Sequence, residues 1–186
     1  MILELAATLL AFIYIGLAIA EKQSSWIFAI LSSLLYIFLF WQADLYCQSV
    51  LQIFFILVSY YGWRAWDSNN AKRAQIGYMS LEQNVQSLLV SALMSYLGWW
   101  LLKNYSNSPA PFLDSITTFF SITATFLTAR KKIESWIYWL IINLLSIWMF
   151  ICQNLYMTAV VYAGFAALSI LGLKAWAKKA ERKSEI

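Results

Sequence analysis

KIESWIYWLIINLLSIWMFICQNLYMTAVVYAGFAALSILGLKAW, residues 132–176, lies over KQSSWIFAILSSLLYIFLFWQADLYCQSVLQIFFILVSYYGWRAW, residues 22–66, at a constant offset of 110. Sixteen of the 45 aligned positions are identical, with no insertion. Shared apolar composition inflates matches between membrane segments. It does not put Ser25 over Ser135, Trp26 over Trp136, Gly62 over Gly172 and Trp66 over Trp176, or align the Leu-Tyr pairs at 45–46 and 155–156. Upstream, Leu3-Glu4 aligns with Leu113-Asp114. Each copy holds three apolar helical stretches, and one more lies between them. Three crossings followed by one return the chain to its starting face, so the copies run parallel, related by an axis along the membrane normal. The fold class expected is an all-α integral membrane protein: seven transmembrane helices as two parallel three-helix repeats joined by a linker helix.

Composition agrees with a membrane setting. Of 186 residues, 62% are hydrophobic and 12% charged, against about 45–50% apolar and about 25% charged in soluble domains. Helices are expected near Ile2–Ala20, Trp26–Trp41, Tyr46–Trp63, Val85–Leu102, Phe112–Thr128, Trp136–Ile151 and Leu155–Trp176. Their lengths approach what a bilayer core requires, and in lipid a helix satisfies its own backbone. The first stretch lacks a basic n-region and a small-residue cleavage site, so it reads as a retained helix. The chain divides into repeat one (1–66), a loop with the linker helix (67–110), repeat two (111–176) and a basic tail (177–186). The polar insertion Asp67–Asn84 is expected to hold a short amphipathic surface helix.

Charge orients the bundle. With seven spans, Lys22, Arg64, Lys72, Arg73, Arg130, Lys131, Lys132, Lys174, Lys178, Lys179, Arg182 and Lys183 fall on one side and only Lys103 on the other. Positive loops stay in the cytoplasm, which puts the C-terminus inside and the N-terminus outside. The same rule explains the basic tail, with anionic lipid as its neighbour, and leaves nucleic acid no part.

Catalytic chemistry has little material. Histidine is absent, and Cys47 and Cys152 have no metal-ligand spacing, so zinc sites and Ser-His-Asp chemistry are excluded. No cofactor and no metal are expected, and the two cysteines read as inert packing. Trp63, Trp66, Trp99, Trp100 and Trp176 lie toward helix ends, where tryptophan usually belongs to the interfacial belt.

Polar residues at helical spacing mark the faces that avoid lipid. The third helix shows Gln48, Gln52, Phe55 and Ser59; the seventh shows Thr158, Tyr162, Phe165 and Ser169, each over its counterpart in the other repeat. Ser59 and Ser169 read as packing, as do Thr117, Ser121 and Thr125 on the fifth helix, because small polar groups serve as interhelical glue. Gln52, Thr158 and Tyr162 read as cavity groups. On the sixth helix Trp136, Trp139 and Asn143 share a face. Trp136 has its equal in Trp26, which suits a symmetric structural role. Trp139 and Asn143 stand over Ala29 and Ser33, so the repeat is broken at those two positions. Such asymmetry suits a flat, polar-edged solute held between related halves: Trp139 would stack on a heteroaromatic ring, more strongly if that ring is cationic, and Asn143 both donates and accepts hydrogen bonds. The alternative is a tryptophan in packing and an asparagine bonded to a neighbouring helix.

Ion-coupled carriers usually place ionisable groups within the bilayer. Glu4, Asp114, Asp44, Glu21 and Glu134 all lie toward helix ends or turns, so passive exchange is the simplest expectation.

The stretches LYxxxxLQxFFxxxxxYGWxxW (Leu45–Trp66), WIYWLIIN (Trp136–Asn143) and LYMTAVVY (Leu155–Tyr162) together resemble the Pnu vitamin transporters over nearly the whole chain. That family includes a nicotinamide riboside branch, PnuC, and a thiamine branch, PnuT. The resemblance implies a plan similar to the SWEET sugar transporters, a homotrimer, and facilitated diffusion followed by trapping through cytoplasmic phosphorylation. It also implies a binding region at Gln52, Trp136, Trp139, Asn143, Thr158 and Tyr162, and on this ground Trp136 joins the candidate site. Chains of the nicotinamide riboside type often carry an asparagine mid-way along the second helix, where this chain has Ser32-Ser33. That departure, with the lack of longer extensions, places thiamine slightly ahead. A sugar or other small-solute facilitator, and a membrane sensor that does not transport, are the alternatives.

Overall fold

The computed structural model describes residues 2–42, 46–67, 74–106, 110–152 and 154–184. Asp44, Leu45, Lys72 and Arg73 from the sequence reading lie outside the described residues, as do the side chains of Tyr46, Cys47, Gln48 and Lys183. Seven helices form among the described residues: α1 Ile2–Ile19, α2 Ser25–Gln42, α3 Tyr46–Ala65, α4 Leu81–Tyr105, α5 Pro111–Ala129, α6 Glu134–Cys152 and α7 Tyr156–Ser184. Six are long and apolar enough to cross a bilayer. The exception, α3, is long enough but is diluted by Gln48, Ser49, Gln52 and Ser59.

Two boundaries differ most from the expected ones. Helix α7 runs to Ser184, beyond Trp176, because Ala, Lys, Glu and Arg after the apolar stretch are strong helix formers and its late cations complement the helix dipole. The described part of the tail, 177–184, is therefore a helical extension. Helix α4 starts at Leu81, where Ser80 and Gln83 close a capping box that satisfies two orphan backbone donors. Residues 74–80 hold no helix, so no separate surface helix forms among the described residues of that insertion. Cys152, expected to pack, ends α6 exposed and free, since the helix stops there and no element among the described residues covers it.

Turns repeat at the same offset as the residues. Helix α1 ends with Glu21 N–H on Ala18 C=O and Lys22 N–H on Leu17 C=O; α5 ends with Lys131 on Thr128 and Lys132 on Leu127. Both are Schellman motifs, whose penultimate residue must be left-handed. Glu21 has φ 55° and Lys131 φ 53°. Asn154 closes α6 the same way, with φ 60°.

The chain forms two compact units. The first holds the residues to Ile76 together with Thr128–Lys131; the second holds Gly77–Leu127 and Lys132 onward. In the first, α2 packs on both α1 and α3. Ser32 Oγ donates to Ala7 C=O at 2.9 Å. Trp26 lies against Gly62 and meets Trp66 edge-on at 5.3 Å. In the second, α4 buries only Ser91, Ser95 and Gly98, a stripe of small residues of the kind that lets membrane helices approach closely. Across it Ser91 bonds Thr123 at 2.7 Å, and Ser115 Oγ donates to Ser95 C=O at 2.6 Å. Helix α6 packs on α7, with Trp136 against Gly172 and edge-on to Trp176 at 5.2 Å. Trp66 and Trp176 do not take the interfacial place expected for them. They are 5% and 0% exposed, because a glycine one turn earlier opens the space in which each meets its Trp partner.

A clasp completes the first unit. Lys131 Nζ bonds Glu21 Oε2 at 2.8 Å and sits 4.7 Å from the centre of the Trp66 ring. The indole N–H of Trp66 donates to Ala129 C=O at 2.9 Å. Glu21 and Lys131 are equivalent positions of the duplication, so the pair joins two copies of one turn through opposite charges. Both groups are largely buried, where breaking a charge pair is costly. Lys131→Glu, which sets two carboxylates face to face, is expected to cost about 1.5–3 kcal/mol, read as a lower unfolding temperature in detergent. The exchange Glu21→Lys with Lys131→Glu is expected to recover part of it, short of wild type because the cation over Trp66 is displaced.

Candidate functional site

The six candidate residues fall in two groups. Gln52, half-buried on α3, belongs to the first unit; Trp136, Trp139, Asn143, Thr158 and Tyr162 belong to the second. Within the second unit the shared face of α6 resolves into different neighbours. Trp136 is 3% exposed and fills the groove over Gly172 against Trp176, the same packing that Trp26 makes in the first unit. Its symmetric role is thus visible as the anchor of α6 on α7. Both indole N–H groups, of Trp26 and Trp136, are buried with no hydrogen-bond partner among the described residues.

Trp139 is only half-buried and packs against the cluster of Ala124, Leu127, Tyr138 and Ile142 formed by α5 and α6. An indole held on one side and partly open is suited to stacking. Asn143 is 3% exposed and reaches α7, where its Nδ2 donates to Ser169 Oγ at 3.3 Å. Ser169 in turn donates to Phe165 C=O at 2.9 Å. The Phe165 ring meets Tyr162 edge-on at 5.7 Å, and Tyr162 packs on Phe150 at 5.1 Å. Thr158, half-buried, lies one turn before Tyr162 on α7. The structure therefore links Asn143, Ser169, Phe165 and Tyr162 into one run of contacts.

Sequence reasoning misses Ser169 and Phe150 as neighbours of the site. Its pattern marks Ser169 as packing; the bond to Asn143 spans 26 positions, and no local pattern announces such a pair. On α5, Thr117 Oγ1 donates to Leu113 C=O at 2.8 Å and Thr125 Oγ1 to Ser121 C=O at 2.7 Å. These threonines are occupied by their own helix, as packing residues are.

Chemically the α6–α7 face offers aromatic rings, one amide and hydroxyls, all uncharged at neutral pH. It can stack and hydrogen-bond a planar solute. Among the described residues that face holds no lysine or arginine with which to meet a phosphate.

Comparison with known proteins agrees with a membrane role. A family model described as nicotinamide mononucleotide transporter matches residues 1–178. The nicotinamide riboside transporter PnuC of Escherichia coli is 28% identical over 208 aligned residues, covering 97% of this chain and 87% of its own. The protein of the same name from Neisseria mucosa is 24% identical, over 88% of this chain and 67% of its own. In three dimensions the chain is similar to a crystal structure of the vitamin B3 transporter PnuC, with a TM-score of 0.77 at 19% identity, covering 97% of this chain and 82% of the other. At that identity the likeness concerns the fold.

Proposed function

Because the chain belongs to the nicotinamide mononucleotide transporter family, whose relatives are named as transporters and not as enzymes, we propose that it carries an unphosphorylated, cationic heteroaromatic B vitamin across the bacterial inner membrane by facilitated diffusion. The observation that carries this reading is the uncharged face of α6 and α7. There a half-open indole at Trp139 stands on the same helix as an amide, Asn143, which is bonded to α7. A planar cation gains about 0.5–2 kcal/mol over an aromatic face, more as it is desolvated, while Asn143, Thr158 and Tyr162 would meet the polar edge. Trp136 would act from behind, by holding α6 on α7. Gln52 is assigned to the site on the repeat argument and the family resemblance.

Nicotinamide riboside stands first among substrates, since relatives from two genera carry that name. Thiamine, toward which Ser32-Ser33 inclines, stands second and riboflavin third. The neutral face favours the riboside over the mononucleotide, whose phosphate would enter a low-dielectric site with no counter-charge. Accumulation would follow from phosphorylation in the cytoplasm.

The same reading includes two parallel three-helix repeats around the linker α4 (1–66, 67–110, 111–176 and 177–186), supported by the matching turns and Trp-Gly-Trp contacts at the 110-residue offset. It also includes an outside N-terminus, a cytoplasmic C-terminus and a homotrimer.

Titration of the purified protein with nicotinamide riboside, nicotinamide mononucleotide, thiamine and riboflavin, followed by tryptophan fluorescence, tests it. Saturable quenching by the riboside or thiamine, with the mononucleotide weaker by about tenfold or more, is expected. Tighter binding of the mononucleotide would refute the substrate assignment.

A further inference from the structure

The orientation of the Asn143 amide decides what chemistry a solute would meet, and a residue on α7 controls it. Ser169 has one hydroxyl proton. It gives that proton to the carbonyl of Phe165, four residues back on its own helix, at 2.9 Å, a back-bond that helical serines readily make. With the proton committed, Ser169 Oγ can only accept. The atom that meets it at 3.3 Å is Asn143 Nδ2. The reverse orientation would set the amide carbonyl against a hydroxyl with no proton to offer. Both residues are 3% exposed, so water is poorly placed to relieve that clash, and a buried polar group without a partner is costly.

We propose that Ser169 is a positioning residue: it holds Asn143 with the amide nitrogen toward α7 and leaves Oδ1 as the group presented to the solute. Among the described residues the Asn143 side chain makes this one hydrogen bond, so its carbonyl oxygen is not spent within the protein. The inference rests on the binding role proposed for Asn143 and sharpens it. An acceptor fixed in that place selects a ring substituent that donates, such as a carboxamide or an exocyclic amine. It disfavours the same ring bearing a carboxylate or a carbonyl. The first repeat has Ser33 and Ser59 at the aligned positions, both buried, and without an amide it cannot make this selection. The discrimination therefore belongs to the second repeat alone.

The test compares two ligand pairs on the purified full-length protein: nicotinamide riboside with nicotinic acid riboside, and thiamine with oxythiamine, in which the exocyclic amine is replaced by a carbonyl. In each pair the second member lacks the donor. For the pair that binds, wild type is expected to prefer the donor by about tenfold or more. Ser169→Ala frees the amide to turn and is expected to shrink that preference to about threefold or less, while Ser169→Thr, which keeps the hydroxyl, retains it. A purely structural role would weaken both members of the pair in parallel. An unchanged ratio in Ser169→Ala, with affinity for both lowered alike, overturns the proposal. Should Ser169→Ala fail to fold, Ser169→Cys makes the same comparison with a much weaker donor. Asn143→Ala separates the two levels: wild-type affinity in that variant refutes the binding role itself, whereas lost affinity beside an unchanged ratio in Ser169→Ala refutes only the positioning.

Discussion

Trp139→Ala is expected to weaken binding of the vitamin by about tenfold or more, and Asn143→Ala by a similar factor, an order set by about 1.4 kcal/mol per decade. Trp139 would lose its stacking face and Asn143, which is buried, its hydrogen bond to the solute. Trp139→Ala should not unfold the protein, since Trp139 is only half-buried at the edge of its cluster. Ala29→Trp, which puts an indole at the aligned position of the first repeat, is not expected to restore binding in the Trp139→Ala background. Ala29 is itself buried, and the cluster that holds Trp139 is built from α5 and α6. Calorimetric titration of the three variants reads the result directly. Near-wild-type affinity in both single variants would remove the site and leave the fold untouched.

The largest effect on stability is expected at the two glycines under the paired tryptophans. A Cβ built on Gly172 falls 2.5 Å from the Trp136 ring, and one on Gly62 falls 2.4 Å from the Trp26 ring. Both rings are buried, and Trp176 and Trp66 stand edge-on against them. Replacing a helical glycine by alanine ordinarily gains about 1 kcal/mol, while overpacking a filled site costs about 1–3 kcal/mol and sometimes more. The contact distance decides in favour of the loss. Gly172→Ala and Gly62→Ala are expected to lower the unfolding temperature in detergent, and Gly172→Leu to leave no folded protein. Gly16 provides the contrast, since a Cβ built there meets nothing within 4 Å; Gly16→Ala should be neutral or stabilising. Trp136→Phe placed in the Gly172→Ala background should recover part of the loss by giving back ring volume. Failure of that recovery would mean the damage arises from the backbone and not from the indole.

The in-register duplication is readable because insertion-free identity preserves both the residues and their turns. Its physical trace is the pair of Schellman closures at Glu21 and Lys131 with left-handed φ. Six of the seven helices among the described residues follow from apolar length, while the diluted α3 is marked by its match to the second repeat. The end of α7 does not, because hydropathy stops at Trp176 whereas helix propensity continues through the charged residues to Ser184.

Tryptophans near helix ends are the harder case. Position along the helix is the same for an interfacial indole and a buried one, and Trp66 and Trp176 are buried. The signal that separates them is present: a glycine four residues earlier on the same face, repeated in both halves with a further tryptophan at 26 and 136. Trp136 itself supports two readings, structural by symmetry and functional by resemblance, and its surroundings are those of an anchor. Trp139 and Asn143 stand out because they break the repeat. What the broken symmetry cannot announce is Ser169 as the partner of Asn143, since a contact between helices depends on their relative rotation, which no local spacing encodes.

Passage itself is tested most directly in liposomes containing the purified protein and loaded with buffer, to which labelled nicotinamide riboside or thiamine is added. Facilitated diffusion through an uncharged site predicts saturable entry that stops when inside and outside concentrations are equal. Ionophores that collapse proton and sodium gradients should leave it unchanged, and labelled nicotinamide mononucleotide should enter far more slowly. Accumulation above the outside concentration that vanishes with an ionophore, or faster entry of the mononucleotide, would contradict it.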